Sequence, residues 1–174
     1  GSYIGRKSQS DLPSPVNIVT LEDMQANGWT DIEDIAETFT FSPSNYGRNS
    51  LMNGGTGGNE RAIDLRGLGV SSTLVLLNGK RTASTSTGPA GADYTNIKRL
   101  VPMIALSEIE TLLDGGAALY GSDAIAGVVN MKTRTDFEGF EARIGGKDID
   151  GSGQSEVQFI IGAGNDDIHG VFAF

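Results

Sequence analysis

The chain has 174 residues, 38% of them hydrophobic and 7% aromatic, with 25 glycines and a net charge of -9. That is enough for one domain with a real core, and so much glycine beside so few aromatics predicts many turns and close backbone contacts. The acidic balance argues against a general nucleic-acid binder, and the absence of cysteine excludes disulfides, thiolate metal sites and cysteine catalysis. Position 1 is glycine and no basic-then-apolar leader follows it, which predicts a processed or excised piece. No run of 18 apolar residues occurs, so no transmembrane helix is expected; membrane strands, which alternate, need no such run.

Residues 1–17 are polar, with Pro13 and Pro15, and read as an extended lead-in. The run 18–20 enters a helix capped by Thr20, with Glu22 and Asp23 favouring its positive end and Gly28 stopping it. A second helix is expected from Thr30, with Glu33 completing a capping box and Ile32, Ile35, Ala36 and Phe39 on one face. Residues 42–60 form a long Asn-, Gly- and Ser-rich loop. The segment 62–69 reads as a strand ending at Gly67, and 73–77 (T-L-V-L-L) as a buried strand. Asn78-Gly79 is a two-residue hairpin signal. A second polar loop covers 82–96, and 97–106 leads into I-E-T-L-L-D-G-G-A-A-L-Y-G-S-D-A-I-A-G-V-V-N-M-K-T at 109–133, around which the chain is organised. After Arg134 the pattern turns to strict alternation: Phe140, Ala142 and Ile144 against Glu141 and Arg143, then Val157, Phe159, Ile161 and Ala163, then Phe172 and Phe174. This predicts an incomplete antiparallel β-meander with connections at 148–154 and 165–167.

Catalytic and metal chemistry find little support. G-G-T-G-G-N-E-R at 54–61 lacks the Gly-Lys-Ser/Thr ending of a phosphate loop, and R-G-L-G-V-S-S at 66–72 carries Ser72 where a dinucleotide fingerprint ends in Gly. Asp148, Asp150, Ser152 and Gly153 imitate a calcium loop, but its twelfth position is Phe159 rather than Glu, so a polar hairpin is the better reading. His169 is the single histidine, too little for a zinc site or a serine triad, and no G-x-S-x-G elbow exists. Glu108 and Glu110 share one face of a strand, a pairing common by chance. No metal, no cofactor and no enzyme activity are expected.

The stretch 109–133 resembles the most characteristic segment of the plug domain of TonB-dependent outer-membrane receptors. Ile109-Glu110, Asp114-Gly115 and the run from Ala118 through Asn130 carry the resemblance, with S-P-V at 14–16, Arg66-Gly67 and L-V-L-L-N-G-K-R at 74–81 in support. Two positions depart from the family pattern: Leu113 stands where a basic residue usually precedes Asp-Gly, and Glu108 where an Arg is usual. The resemblance implies an α+β plug over 1–135, a small mixed sheet of about four strands with two short helices, followed over 136–174 by the first two to three strands of a transmembrane β-barrel. It implies the gate of a transporter that takes up a scarce nutrient at the outer membrane of a Gram-negative cell. The implied partners are TonB with ExbB–ExbD, through a segment N-terminal to this chain, and the rest of the chain's own barrel. A free-standing plug-like periplasmic binding or signalling module is the alternative. Arg66, Gly67, Glu110, Gly115, Tyr120, Gly121, Gly127 and Asn130 take structural or gating roles by this resemblance, with Arg66 and Glu110 expected as a buried charge pair. Outward loops at 59–60, 68–72 and 84–94 are implied to touch ligand, with Asn59, Ser71, Ser72, Tyr94 and Asn96 as candidates. Their Ser, Thr, Asn and Gly content favours a small neutral polar ligand, a saccharide or peptide, over a siderophore.

Overall fold

The computed structural model of the chain describes residues 16–32, 34–35, 62–84, 93–149, 152–164 and 169–174. Strand β1 (Val16–Thr20) runs straight into helix α1 (Leu21–Ala26). The junction is a capping box: the Asp23 amide donates to Thr20 Oγ1 at 3.2 Å and the Thr20 amide to Asp23 Oδ2 at 2.9 Å. Helical turns resume at residues 32, 34 and 35, with Ile32 and Ile35 buried. Here Asp34 supplies the return contact, its carboxylate accepting from the amides of Thr30 and Asp31 at 3.0 and 3.2 Å. Glu33, Ala36 and Phe39 lie outside the described residues, as does the loop 42–60.

The expected strand at 62–67 does not form. Leu65–Gly67 is a 3-10 turn, with Arg66 at φ 59. Asp64 Oδ1 accepts from the Gly69 amide at 2.9 Å and the Leu65 amide donates to Thr73 Oγ1 at 3.1 Å, so side chains take hydrogen bonds that a ladder would otherwise supply. Strands β2 (Thr73–Leu77) and β3 (Lys80–Arg81) follow. They are joined through Asn78 at φ 52 and Gly79 at φ 75, the two left-handed residues of a type I′ turn. Strand β4 (Leu106–Leu112), helix α2 (Gly116–Tyr120) and strand β5 (Gly127–Thr133) complete this part.

These strands make one mixed sheet in the order β1-β4-β5-β2-β3, five strands where about four were expected. β5 runs antiparallel to β4 and parallel to β2. Alternation along the strands produces two cores. Ile109, Val129 and Met131 face one way, packing with Met24, Ile32, Ile35 and Leu65. Leu112, Val128, Leu74 and Val16 face the other, packing with Ala124 and Tyr120.

A separate antiparallel sheet holds β6 (Gly139–Ile149), β7 (Ser152–Gly164) and β8 (His169–Ala173). The β6–β7 ladder continues through Asp148↔Gly153 and Ile149↔Ser152, so the sequence that imitates a calcium loop is largely paired strand. One face of this sheet is apolar and open: Phe140, Ile144, Val157, Ile161, Phe172 and Phe174 are all more than half exposed. Its other face turns toward the first sheet, where Ile160 and Gln158 are buried. Gly162 sits under the connecting segment, where a Cβ would lie 1.8 Å from the Phe137 carbonyl oxygen, so no other residue fits.

Candidate functional site

The segment 113–127 is built from glycine-dependent turns. Gly115 (φ 78) lies before α2 and Gly121 (φ 89) ends it. A G-A-A-L-Y helix was not expected from sequence, because its five residues are too few for a periodic signal. Gly127 (φ 141) starts β5 with no free space: a Cβ would meet the Leu112 carbonyl oxygen at 2.6 Å and Leu65 Cδ1 at 2.7 Å. Arg66 closes the turn from outside. Its Nη2 donates to the carbonyls of Ile125 and Ala126 at 3.1 and 3.0 Å, Nε donates to Ala126, and Nη1 pairs with Asp114 at 3.1 Å. The left-handed φ of Arg66, followed by Gly67 at φ 67, brings the guanidinium there.

The expected Arg66–Glu110 pair is therefore absent. The diverted backbone at 64–67 sends Arg66 to the turn, while Glu110 lies inside β4, 5% exposed. Glu110 accepts from Lys132 Nζ at 2.6 Å and from Asn130 Nδ2 at 3.0 Å, and Lys132 also reaches Glu108 at 2.7 Å. Burial pulls the Lys132 pKa down, but its hydrogen bonds to Glu108 and Glu110 and their charges outweigh burial, and it ends above its ordinary value. Glu108, unusual for the family at its position, thus has its cation across the ladder. Asn130 also accepts from the Gly79 amide at 2.9 Å, tying the hairpin turn to β5.

A cleft of about 440 Å³ opens between the start of β2, the chain after β3 and the turn after α2. Ser71 and Tyr94 from the expected ligand loops meet in its wall, with Arg81, Ser84, Asp93 and Asp123. Ser72 and Asn96 do not line it. Ser72 Oγ donates to the Leu68 carbonyl at 3.2 Å, and Asn96 Oδ1 accepts from the Lys98 amide at 3.2 Å, capping a 3-10 turn. Asn59 lies outside the described residues. Arg81 and Asp123 were not singled out from sequence, being 42 residues apart; their ion pair closes at 2.6 Å and Arg81 Nη2 also donates to the Tyr120 carbonyl. The hydrogen bond and charge of Arg81 hold the Asp123 carboxyl below its usual range. The Tyr120 phenol is pushed up, first by burial and then by the nearby Glu110 charge.

The second sheet meets the rest of the chain through polar groups. The Ile104 amide donates to Gln158 Oε1 at 2.9 Å, and Arg143 donates to the Trp29 carbonyl. Arg134 pairs with Glu141 at 2.8 Å and stacks over Phe137. A sheet with polar groups inward and apolar groups outward suits a wall between a polar lumen and lipid.

The family described as TonB-dependent Receptor Plug Domain matches residues 8–128. The chain is 36% identical over 138 residues to the ferric enterobactin receptor PirA of Pseudomonas aeruginosa, an alignment covering 75% of this chain and 18% of that protein. It is 32% identical over 128 residues to an iron-regulated outer membrane virulence protein of Vibrio cholerae, covering 72% and 18%. The crystal structure of the siderophore receptor PirA from Acinetobacter baumannii superposes with a TM-score of 0.63 at 26% identity, covering 91% of this chain and 24% of that one. The chain thus spans about a fifth of the length of the curated relatives it matches. On the match over 8–128 and these identities, the chain belongs to the plug-domain family of TonB-dependent receptors of the Gram-negative outer membrane.

Proposed function

We propose that residues 1–135 are the gate of a TonB-dependent outer-membrane transporter and that 136–174 begin its barrel wall. The observation that carries this reading is the second sheet, whose polar face bonds the rest of the chain at Ile104 and Trp29 through Gln158 and Arg143, while Phe140, Ile144, Val157, Ile161, Phe172 and Phe174 point away, exposed. Lipid accepts such a face and water does not. TonB, energised by ExbB–ExbD, supplies the pull that shifts the gate, acting through an N-terminal segment that is not in this chain.

The cleft at Ser71 and Tyr94 is the plug's share of the ligand site. Its hydroxyl groups suit any oxygen-rich ligand, so they do not by themselves favour the saccharide or peptide expected from loop composition. The relatives are named for ferric enterobactin and for iron regulation, and a ferric siderophore is the ligand class proposed here. The test is uptake of radio-iron as ferric enterobactin by iron-starved cells whose only siderophore receptor carries this chain. Uptake that requires TonB supports the proposal; iron uptake indifferent to TonB, or none, refutes it. Ser71→Trp, which fills the mouth of the cleft, is expected to weaken binding about tenfold, as loss of a well-packed contact does. Unchanged affinity would move the ligand site elsewhere.

A further inference from the structure

Asn-Gly is the dipeptide most prone to spontaneous rearrangement, because glycine leaves its own amide nitrogen unshielded. The Gly79 nitrogen attacks Cγ of Asn78, the N–Cγ bond forms, the Cγ–Nδ2 bond breaks with Nδ2 leaving as ammonia, and water opens the resulting succinimide to aspartate or isoaspartate. One water is consumed, one ammonia released, and nothing is oxidised or reduced. Asn78 is exposed, so water reaches it. Yet each polar group the reaction must free is held. The Gly79 N–H donates to Asn130 Oδ1 at 2.9 Å. Asn78 Nδ2 donates to Thr133 Oγ1 at 2.9 Å, and Asn78 Oδ1 accepts from the Thr133 amide at 2.9 Å. The Asn78 amide itself donates to the Met131 carbonyl at 2.8 Å. All these partners lie on β5, and the Asn78 carboxamide continues the parallel β2–β5 ladder beyond its last backbone pair, Leu77↔Met131.

We propose that Asn78 is a deamidation site that β5 keeps closed, with Asn130 and Thr133 as the restraining residues, and that it is modified when the hairpin lifts off β5. The isoaspartyl product does not reseat, because its link adds a backbone atom inside the type I′ turn. An aspartate at position 78 still can, since the Thr133 hydroxyl donates to a carboxylate where it now accepts from the carboxamide. Opening of the sheet thereby leaves a covalent mark, and a plug marked with isoaspartate closes less well.

The test follows the peptide over residues 73–81 by mass spectrometry, in the receptor that carries this chain, purified from outer membranes and held in mildly alkaline buffer. The mass gain from NH2 to OH reports the reaction, and isoaspartate-specific methylation reports the isomer. Fully denatured protein is expected to react at least about tenfold faster than intact protein, since several hydrogen bonds must break first in the intact state. Thr133→Val, which removes only the Oγ1 acceptor, is expected to speed the intact protein about fivefold. Equal rates in intact and denatured protein overturn the proposal, and that comparison needs no variant. A Thr133→Val rate equal to wild type, in protein whose plug resists protease as wild type does, overturns the role given to Thr133.

Discussion

At Gly127 the chain has one residue that fits. Its φ of 141 disfavours any side chain, and the space for a Cβ is taken by the Leu112 carbonyl and Leu65. Gly127→Ala is expected to destabilise the plug by about 3 kcal/mol, combining backbone strain with overpacking, read as a shifted midpoint in chemical denaturation. Gly121→Ala meets no atom within 4 Å and pays only for its φ of 89, so it is expected to lose about 1 kcal/mol. Equal losses at both positions would contradict the account of Gly127. The glycines, the Asn78-Gly79 turn and the Thr20–Asp23 cap were all legible in sequence, because the reasons for them are local. Partners of charged residues were not. Arg66 carries an unmistakable neighbour, Gly67, but its contacts with Asp114 and the 125–126 carbonyls depend on a backbone path through 64–69 set by side-chain hydrogen bonds.

Between elements, the β4–β5 ladder carries a polar cluster inside the sheet. Removing its cation with Lys132→Met leaves Glu110 buried and without its charge partner, an expected loss of about 2 kcal/mol for this partly shielded site. Adding Glu110→Gln should recover part of that loss, and a double-mutant cycle measures the coupling. The pH dependence follows from the raised Lys132 pKa. Lysine in the unfolded chain titrates near about 10.4. Below that value the cluster's contribution to stability is complete; it is lost as pH rises through the folded value, where Lys132 gives up its proton. Denaturation midpoints should therefore fall above that range in the wild type, with a smaller fall in Lys132→Met. Arg81 links β3 to the turn after α2 from a half-exposed position, so Arg81→Gln should change global stability by less than about 1 kcal/mol. Its expected effect is local: faster amide hydrogen exchange over residues 120–124, measured by mass spectrometry. The elements themselves were legible where alternation was long, as in β6 and β7, or where an apolar run was unbroken, as in β2, and illegible where five residues of mixed character form α2 or where polar residues such as 148 and 152–154 are paired as strand. Ser71 and Tyr94 came from a family resemblance, whereas Arg81 and Asp123 required the fold to bring together distant positions.

For the whole molecule, two surfaces divide the work of the second sheet. Gln158→Leu takes the acceptor from the buried Ile104 amide and is expected to cost about 1–3 kcal/mol at this contact, detected as easier protease entry at 102–106. On the opposite face, Ile144 is 81% exposed and lies across from Val157. Ile144→Lys leaves every described plug contact intact, yet is expected to lower insertion into lipid vesicles by about 2–4 kcal/mol if that position sits at mid-membrane. An unchanged insertion yield would mean that this face does not meet lipid.

The strand order has a kinetic consequence. β5 is the last plug strand in sequence and the middle one in space. Until residue 133 has emerged, β1 with β4 and β2 with β3 are two half-sheets, each with an open edge where β5 belongs. The parallel β2–β5 pairing joins residues 54 apart, such as Thr73 with Gly127, so a large loop must close before any of its hydrogen bonds form. The plug is thus expected to fold late and in one step, on the slow side for its size, with its most adhesive surfaces bare until the step is complete.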